Sequence, residues 1–144
     1  MKKILFLAIS AGFLFTACKS DDDDVYASVV GVWKPSREMA VSGKNGSTIY
    51  NDPSSSCYKK STFDFKSNNT MVSNIFDDGM SGNCENLGTD TSSYSYDPLN
   101  KQIVIDGEAS EVLKLTNNEM HIVSDYSDED GDGIDDKIVL ILTR

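Results

Sequence analysis

From Val25 onward the apolar residues recur every second position, and no stretch of twelve holds an amphipathic helical face. Period two is the signature of a strand, which throws successive side chains to opposite faces of a sheet. The alternating runs are short and are separated by Gly, Asn, Asp, Ser and Pro, the residues that supply turn geometry. Strands are predicted over residues 29–40, 48–51, 61–66, 70–76, 92–96, 102–106, 111–115, 119–126 and 137–143, the second being a short return. Residues 77–91 read as a loop, because Gly79, Gly82 and Gly88 fall within them, and 107–110 read as a turn. Asn68-Asn69 suits a tight hairpin, since Asn tolerates positive φ. Eight main strands in sequential hairpins form a meander, and closing the meander removes its exposed edges. The expected fold is therefore all-β, a single antiparallel up-and-down barrel of about eight strands. A two-sheet sandwich is the alternative.

Alternation places Phe63 with Phe65, Tyr94 with Tyr96, and Met120 with Ile122, and these six are the candidate interior residues. An eight-stranded barrel is either filled by such side chains or holds one small molecule. In the last strand Ile138, Leu140 and Leu142 share one face and Val139 and Ile141 the other, which implies burial on both sides.

The chain opens differently. Met1-Lys2-Lys3 is a short basic segment, Ile4 to Phe15 is apolar, and Leu14-Phe15-Thr16-Ala17-Cys18 closes the run. A spanning helix needs about 20 apolar residues, so the run reads as a secretory signal, residues 1–17. Cys18 after Ala17 resembles the lipobox of bacterial lipoproteins, with Phe15 where that family usually places Leu. The resemblance implies lipidation at Cys18 and attachment to a membrane through the acyl chains. Asp21-Asp22-Asp23-Asp24 cannot pack against itself and makes residues 18–28 a solvated tether. The acidic run also resembles the tag behind the lipidated cysteine of surface-exposed lipoproteins in some Gram-negative bacteria. It implies an outer-membrane lipoprotein at the cell surface, with the periplasmic face as the alternative.

Charge narrows the function. The 144 residues carry 13 Lys+Arg against 23 Asp+Glu, a formal net charge of -10. Nucleic acid needs clustered cations and is not an expected partner. The single histidine, His121, leaves no multi-His metal site, and strand alternation sets it opposite Met120 and Ile122, on the surface. Asp64 and Asp106 read as outward strand residues. No arrangement of acid, base and nucleophile points to an enzyme. In an exported chain the two cysteines after Cys18 allow one pairing, so a Cys57–Cys84 disulfide is expected.

Gly31-Val32-Trp33-Lys34 in the first strand resembles the Gly-x-Trp signature of lipocalins, in which the Trp plugs the closed end of a barrel. Cys57, then Lys60-Ser61-Thr62-Phe63-Asp64-Phe65 and Asn68-Asn69-Thr70, is similar to the second strand and turn of small bacterial lipocalin-like lipoprotein domains. Leu115-Thr116-Asn117-Asn118-Glu119-Met120 resembles their late hairpin. The resemblance covers residues 29–144. It implies a barrel that binds a small hydrophobic or amphipathic ligand. The chain is expected to be a monomer. The alternative is a filled barrel that serves as a protein- or glycan-interaction module of the cell envelope.

Asp128-Glu129-Asp130-Gly131-Asp132-Gly133-Ile134-Asp135-Asp136 is a second motif. Asp128, Asp130, Asp132, Gly133 and Asp136 fit D-x-D-x-D-G-x-x-D, which resembles the calcium loops of EF-hand and thrombospondin type 3 repeats. Side chains of Asp128, Asp130, Asp132 and Asp136 and the carbonyl of Ile134 are the implied ligands. Val139 occupies the position of the bidentate Glu, so the implied affinity is weak, roughly 10⁻⁴–10⁻³ M. No other cofactor is expected.

Overall fold

A computed structural model describes residues 27–144. The signal segment, Cys18 and the acidic run at 21–24 lie outside the described residues. No helix among the described residues is long and apolar enough to cross a membrane.

Nine antiparallel strands follow one another: β1 (Gly31–Val41), β2 (Thr48–Pro53), β3 (Thr62–Phe65), β4 (Thr70–Asp78), β5 (Cys84–Asp97), β6 (Gln102–Ile105), β7 (Glu108–Leu115), β8 (Glu119–Ser127) and β9 (Asp136–Thr143). A single 3₁₀ turn, Tyr58–Lys60, precedes β3. The sheet runs β2-β1-β3-β4-β5-β6-β7-β8-β9, and β9 pairs back onto β1. Eight strands thus close into a barrel, and β2 is an extra strand on β1. Met39 pairs with Asn51 of β2 on one edge and Val139 of β9 on the other. The barrel is the expected fold, and the sandwich is excluded by this closure.

Two expectations were wrong. Residues 77–91 are not a loop: β4 and β5 continue as a paired ribbon from Thr70↔Ser93 up to Asp78↔Cys84. Cys84–Thr91 is fully exposed, so no buried face imposes alternation on its sequence. Gly88, at φ 107°, sits where the register jumps from Ile75↔Gly88 to Phe76↔Asn86 and leaves Leu87 unpaired, a bulge rather than a loop. The turn at 107–110 is also shorter than expected. Ile105 pairs with Glu108, so the connection is the two-residue Asp106-Gly107, both at positive φ (48° and 90°). Asp106 is therefore a turn residue, not an outward strand residue. Its carboxylate accepts the Ser93 N–H at 2.7 Å. Asn69 adopts φ 63°, as expected of that hairpin.

The two ends of the barrel differ. At one end Trp33 is fully buried and its indole N–H donates to the Val29 carbonyl at 2.7 Å. The Arg144 guanidinium lies 4.1 Å from the Trp33 ring centre and donates to the carbonyls of Val30, Ser28 and Asn117. Gly31 adopts φ 137°, a conformation that L side chains rarely take, and a Cβ there would also push on Arg144 Nη1 from 2.7 Å. Above this plug Trp33, Phe65, Met71, Tyr94, Ile103, Val112, Met120 and Leu142 form one apolar core. A second cluster of Val123, Val139 and Ile141 with Met39, Val41 and Leu113 covers the opposite face of β9, so both faces of the last strand are buried.

Candidate functional site

The other end of the barrel is open. Between β5 and β8 its wall is low, because β6 and the start of β7 form a short hairpin pairing over only four positions. β5 meets β6 only from Tyr94 to Asp97, and β7 meets β8 only from Val112 to Leu115. Inside this gap lies a cavity of about 190 Å³. Phe63, Phe65, Met71, Ile105, Ile122, Leu140 and Leu142 make its apolar wall, and Ser110 and Ser124 bring hydroxyls to it.

The cavity continues upward. Ser124 and Leu140 also line a volume of about 360 Å³ shared with Glu38, Tyr58 and Asp77. Glu38, Tyr58, Asp77 and Leu140 in turn line a vestibule of about 510 Å³. Glu38 pairs across the sheet with Leu140, which sets a carboxylate directly above the cavity wall.

Of the six candidate interior residues, Phe63, Phe65 and Ile122 line this cavity. Tyr94 and Met120 are buried in the core. The Tyr94 ring meets Phe65 edge-on at 5.0 Å, and its hydroxyl donates to the Lys66 carbonyl at 2.8 Å. Burial pushes the Tyr94 hydroxyl pKa above its ordinary value. Tyr96 packs against the same core and also borders a depression with Ala27, Pro98, Lys101 and Leu115. Sequence reasoning missed Met71, Ile105, Ser110, Val123 and Ser124. It placed Leu140 and Leu142 on a buried face without assigning them to a cavity.

The Cys57–Cys84 disulfide is formed, with Cα atoms 5.3 Å apart. It joins the segment before the 3₁₀ turn to the free end of the β4–β5 ribbon, and so fixes Ser55 and Tyr58 on the vestibule rim. Ser61, fully buried beside it, accepts the Phe76 N–H at 2.8 Å and donates to the Phe76 carbonyl at 3.2 Å.

In the β8–β9 loop, carboxylate oxygens of Asp128, Asp130 and Asp136 gather within 4.8 Å of one another. Asp132 is not in that group; its carboxylate accepts the Ile134 N–H and lies 3.4 Å from Lys44 Nζ. The Ile134 side chain is exposed. Asp136 is fully buried and accepts N–H bonds from Gly43 and Glu129. The bonds from Gly43, Glu129 and Asp130 hold its carboxyl below the usual carboxylate range, against the opposing effect of desolvation. His121 lies on the outer side of β8, with Nε2 2.7 Å from Glu119 Oε1. Asp64 is half-buried in β3 and makes no pair with Asp106.

Residues 29–122 match the family described as the lipocalin-like domain. The chain belongs to that family. The matched span runs from Val29 through the first half of β8, and β9 completes the same barrel. No curated protein and no solved structure is significantly similar to this lipocalin-like chain. Lipocalin-like barrels are typically binding folds rather than enzymes, and the arrangement here fits that use: an apolar hollow, a plugged base and an open mouth.

Proposed function

We propose that this lipocalin-like protein is a non-enzymatic lipoprotein, anchored through Cys18 to the outer membrane and exposed at the cell surface, whose barrel holds a small hydrophobic or amphipathic molecule. The cavity between the β6–β7 hairpin and Leu140 carries the reading. A dry apolar hollow of roughly 150 Å³ takes up benzene, and this one, of about 190 Å³ and open at its mouth, has room for a chain or ring of roughly six to eight carbons. The anchor rests on the lipobox resemblance, and the surface address on the acidic run behind it.

Binding is tested with N-phenyl-1-naphthylamine, an apolar fluorophore, on the full chain carrying Cys18→Ser. One equivalent should bind, and Ser110→Phe, which places a ring in the cavity wall, should weaken binding tenfold or more. No binding, or binding indifferent to Ser110→Phe, overturns the reading. The anchor is tested by intact mass of the chain from membranes: it should begin at an acylated Cys18, and an unmodified N-terminus there refutes it. The second reading, an interaction module, draws on the projecting β4–β5 ribbon, where Met80 and Leu87 are exposed. A barrel that binds no probe while the ribbon captures a partner protein would favour it.

A further inference from the structure

The mouth of the cavity is charged, and with one sign. Glu38, Asp52, Asp77, Asp78 and Glu129 line the vestibule with Tyr50 and Tyr58, and no Lys or Arg is among its lining residues. Glu38 and Asp77 reappear in the volume that leads down to Leu140 and Ser124. The nearest cation along β1, Arg37, is turned to β2, where its guanidinium holds the side chain and carbonyl of Asn51.

Two phenols lie among these carboxylates. Tyr50 donates to Glu38 Oε1 at 3.0 Å. Its pKa is pushed up to about 12, first by burial, then by the Glu38 bond and the charges of Glu38, Glu129 and Asp52. Tyr58 is raised too, by burial and then by Asp77 and Glu38. The apolar hollow and its acidic throat share Leu140 and Ser124, so the two adjoin and a molecule seated in one has the other beside its outer end.

From that continuity we propose that the barrel selects amphiphiles with a positively charged head on a short apolar chain. The chain occupies the hollow among Phe63, Phe65, Ile122 and Leu140, and the head lies between Glu38 and Asp77. This rests on the reading of the hollow as a ligand site. A carboxylate or sulfate head on the same chain meets like charge in a partly enclosed space and is rejected. The rim carboxylates are exposed, so the discrimination is moderate and screened by salt.

The test is calorimetric titration of the full chain carrying Cys18→Ser with octylammonium, octanol and octanoate, at low salt and again in 0.5 M NaCl (roughly a twofold shorter Debye length than at 0.1 M). Octylammonium should bind about tenfold or more tighter than octanol at low salt, with octanoate weakest. The advantage should shrink in 0.5 M NaCl, and E38Q/D77N should reduce it below about threefold. The salt arm stands by itself if the double variant fails to fold. Octanol and octylammonium binding within twofold of each other overturns the inference and leaves the hollow as a ligand site. An advantage insensitive to salt and to E38Q/D77N overturns it as well. Failure of all three to bind overturns both.

Discussion

Replacing Arg144 with alanine removes one side chain that closes the base of the barrel in four ways. Its guanidinium lies 4.1 Å from the Trp33 ring centre, a cation–π contact worth about 0.5–1 kcal/mol at an exposed site. Three further contacts go to backbone carbonyls: Val30 and Asn117 at 2.6 Å and Ser28 at 3.1 Å. Water recovers much of each, so the low end of the net hydrogen-bond range applies, about 0.5 kcal/mol apiece. The expected loss is about 2–2.5 kcal/mol. In a domain of this size that lowers Tm by roughly 8–10 °C. Trp33 is the single tryptophan, so urea unfolding followed by its fluorescence reads the plug directly. Arg144→Lys should recover less than half, because an ammonium lacks the planar fork that reaches several carbonyls at once. A loss under about 0.5 kcal/mol would mean that Trp33 is held by burial and its bond to Val29 alone, and would refute the reasoning.

Gly31→Ala should cost about 1–3 kcal/mol, from the strained φ of 137° and the 2.7 Å approach of Arg144, and part of the cost should vanish in the Arg144→Ala background, as a double-mutant cycle by thermal melts would show. Reducing the Cys57–Cys84 bridge, 27 residues apart, should lower stability by roughly 3.6 kcal/mol on the loop-entropy account; thiol titration with paired urea melts checks it, and an unchanged midpoint would contradict it. Asp136 titrates lower in the fold than in the unfolded chain, so the stability it adds is complete above about pH 4 and is lost as pH falls through its native value. Asp136→Asn should remove that part of the acid dependence and leave the part due to Asp97, Asp106 and Glu119, whose carboxyls are also lowered, as melts across pH 2–6 would resolve. Calcium should bind the β8–β9 loop at roughly 10⁻⁴–10⁻³ M, and Asp130→Asn should weaken it; calorimetry that finds no heat in millimolar calcium would reject the site.

What the sequence disclosed follows from what burial imposes. Phe63 and Phe65, Met120 and Ile122, and the doubly buried run from Ile138 to Leu142 each have a wet or dry side that repeats every second residue, and each was placed correctly. The ribbon from Cys84 to Thr91 has no dry side, so its pairing with β4 left no pattern to read. Asp106-Gly107 did carry the signal of a two-residue hairpin, and reading Gly107 as the start of a longer turn overlooked it. The cavity was harder. Three of its wall residues were foreseen because strands expose their alternation, but a hollow arises from how far each hairpin extends, and Ser110 joins the wall through its pairing opposite the buried Ile103. The acidic throat was invisible for a related reason: Glu38 and Asp52 meet across β1–β2, Asp77 arrives through β3 and β4, and Glu129 joins them once β9 closes on β1.

The ligand cavity proposed at the open end of the barrel stands or falls on whether an apolar molecule reaches its wall. Methyl-resolved NMR of the full chain carrying Cys18→Ser, titrated with octanol, tests it most directly. The account predicts shifts of the Ile105, Ile122, Leu140 and Leu142 methyls, with Ile103 and Val112 in the core below staying in place. Silence at those four methyls, or shifts confined to the exposed Met80 and Leu87 of the ribbon, would contradict it.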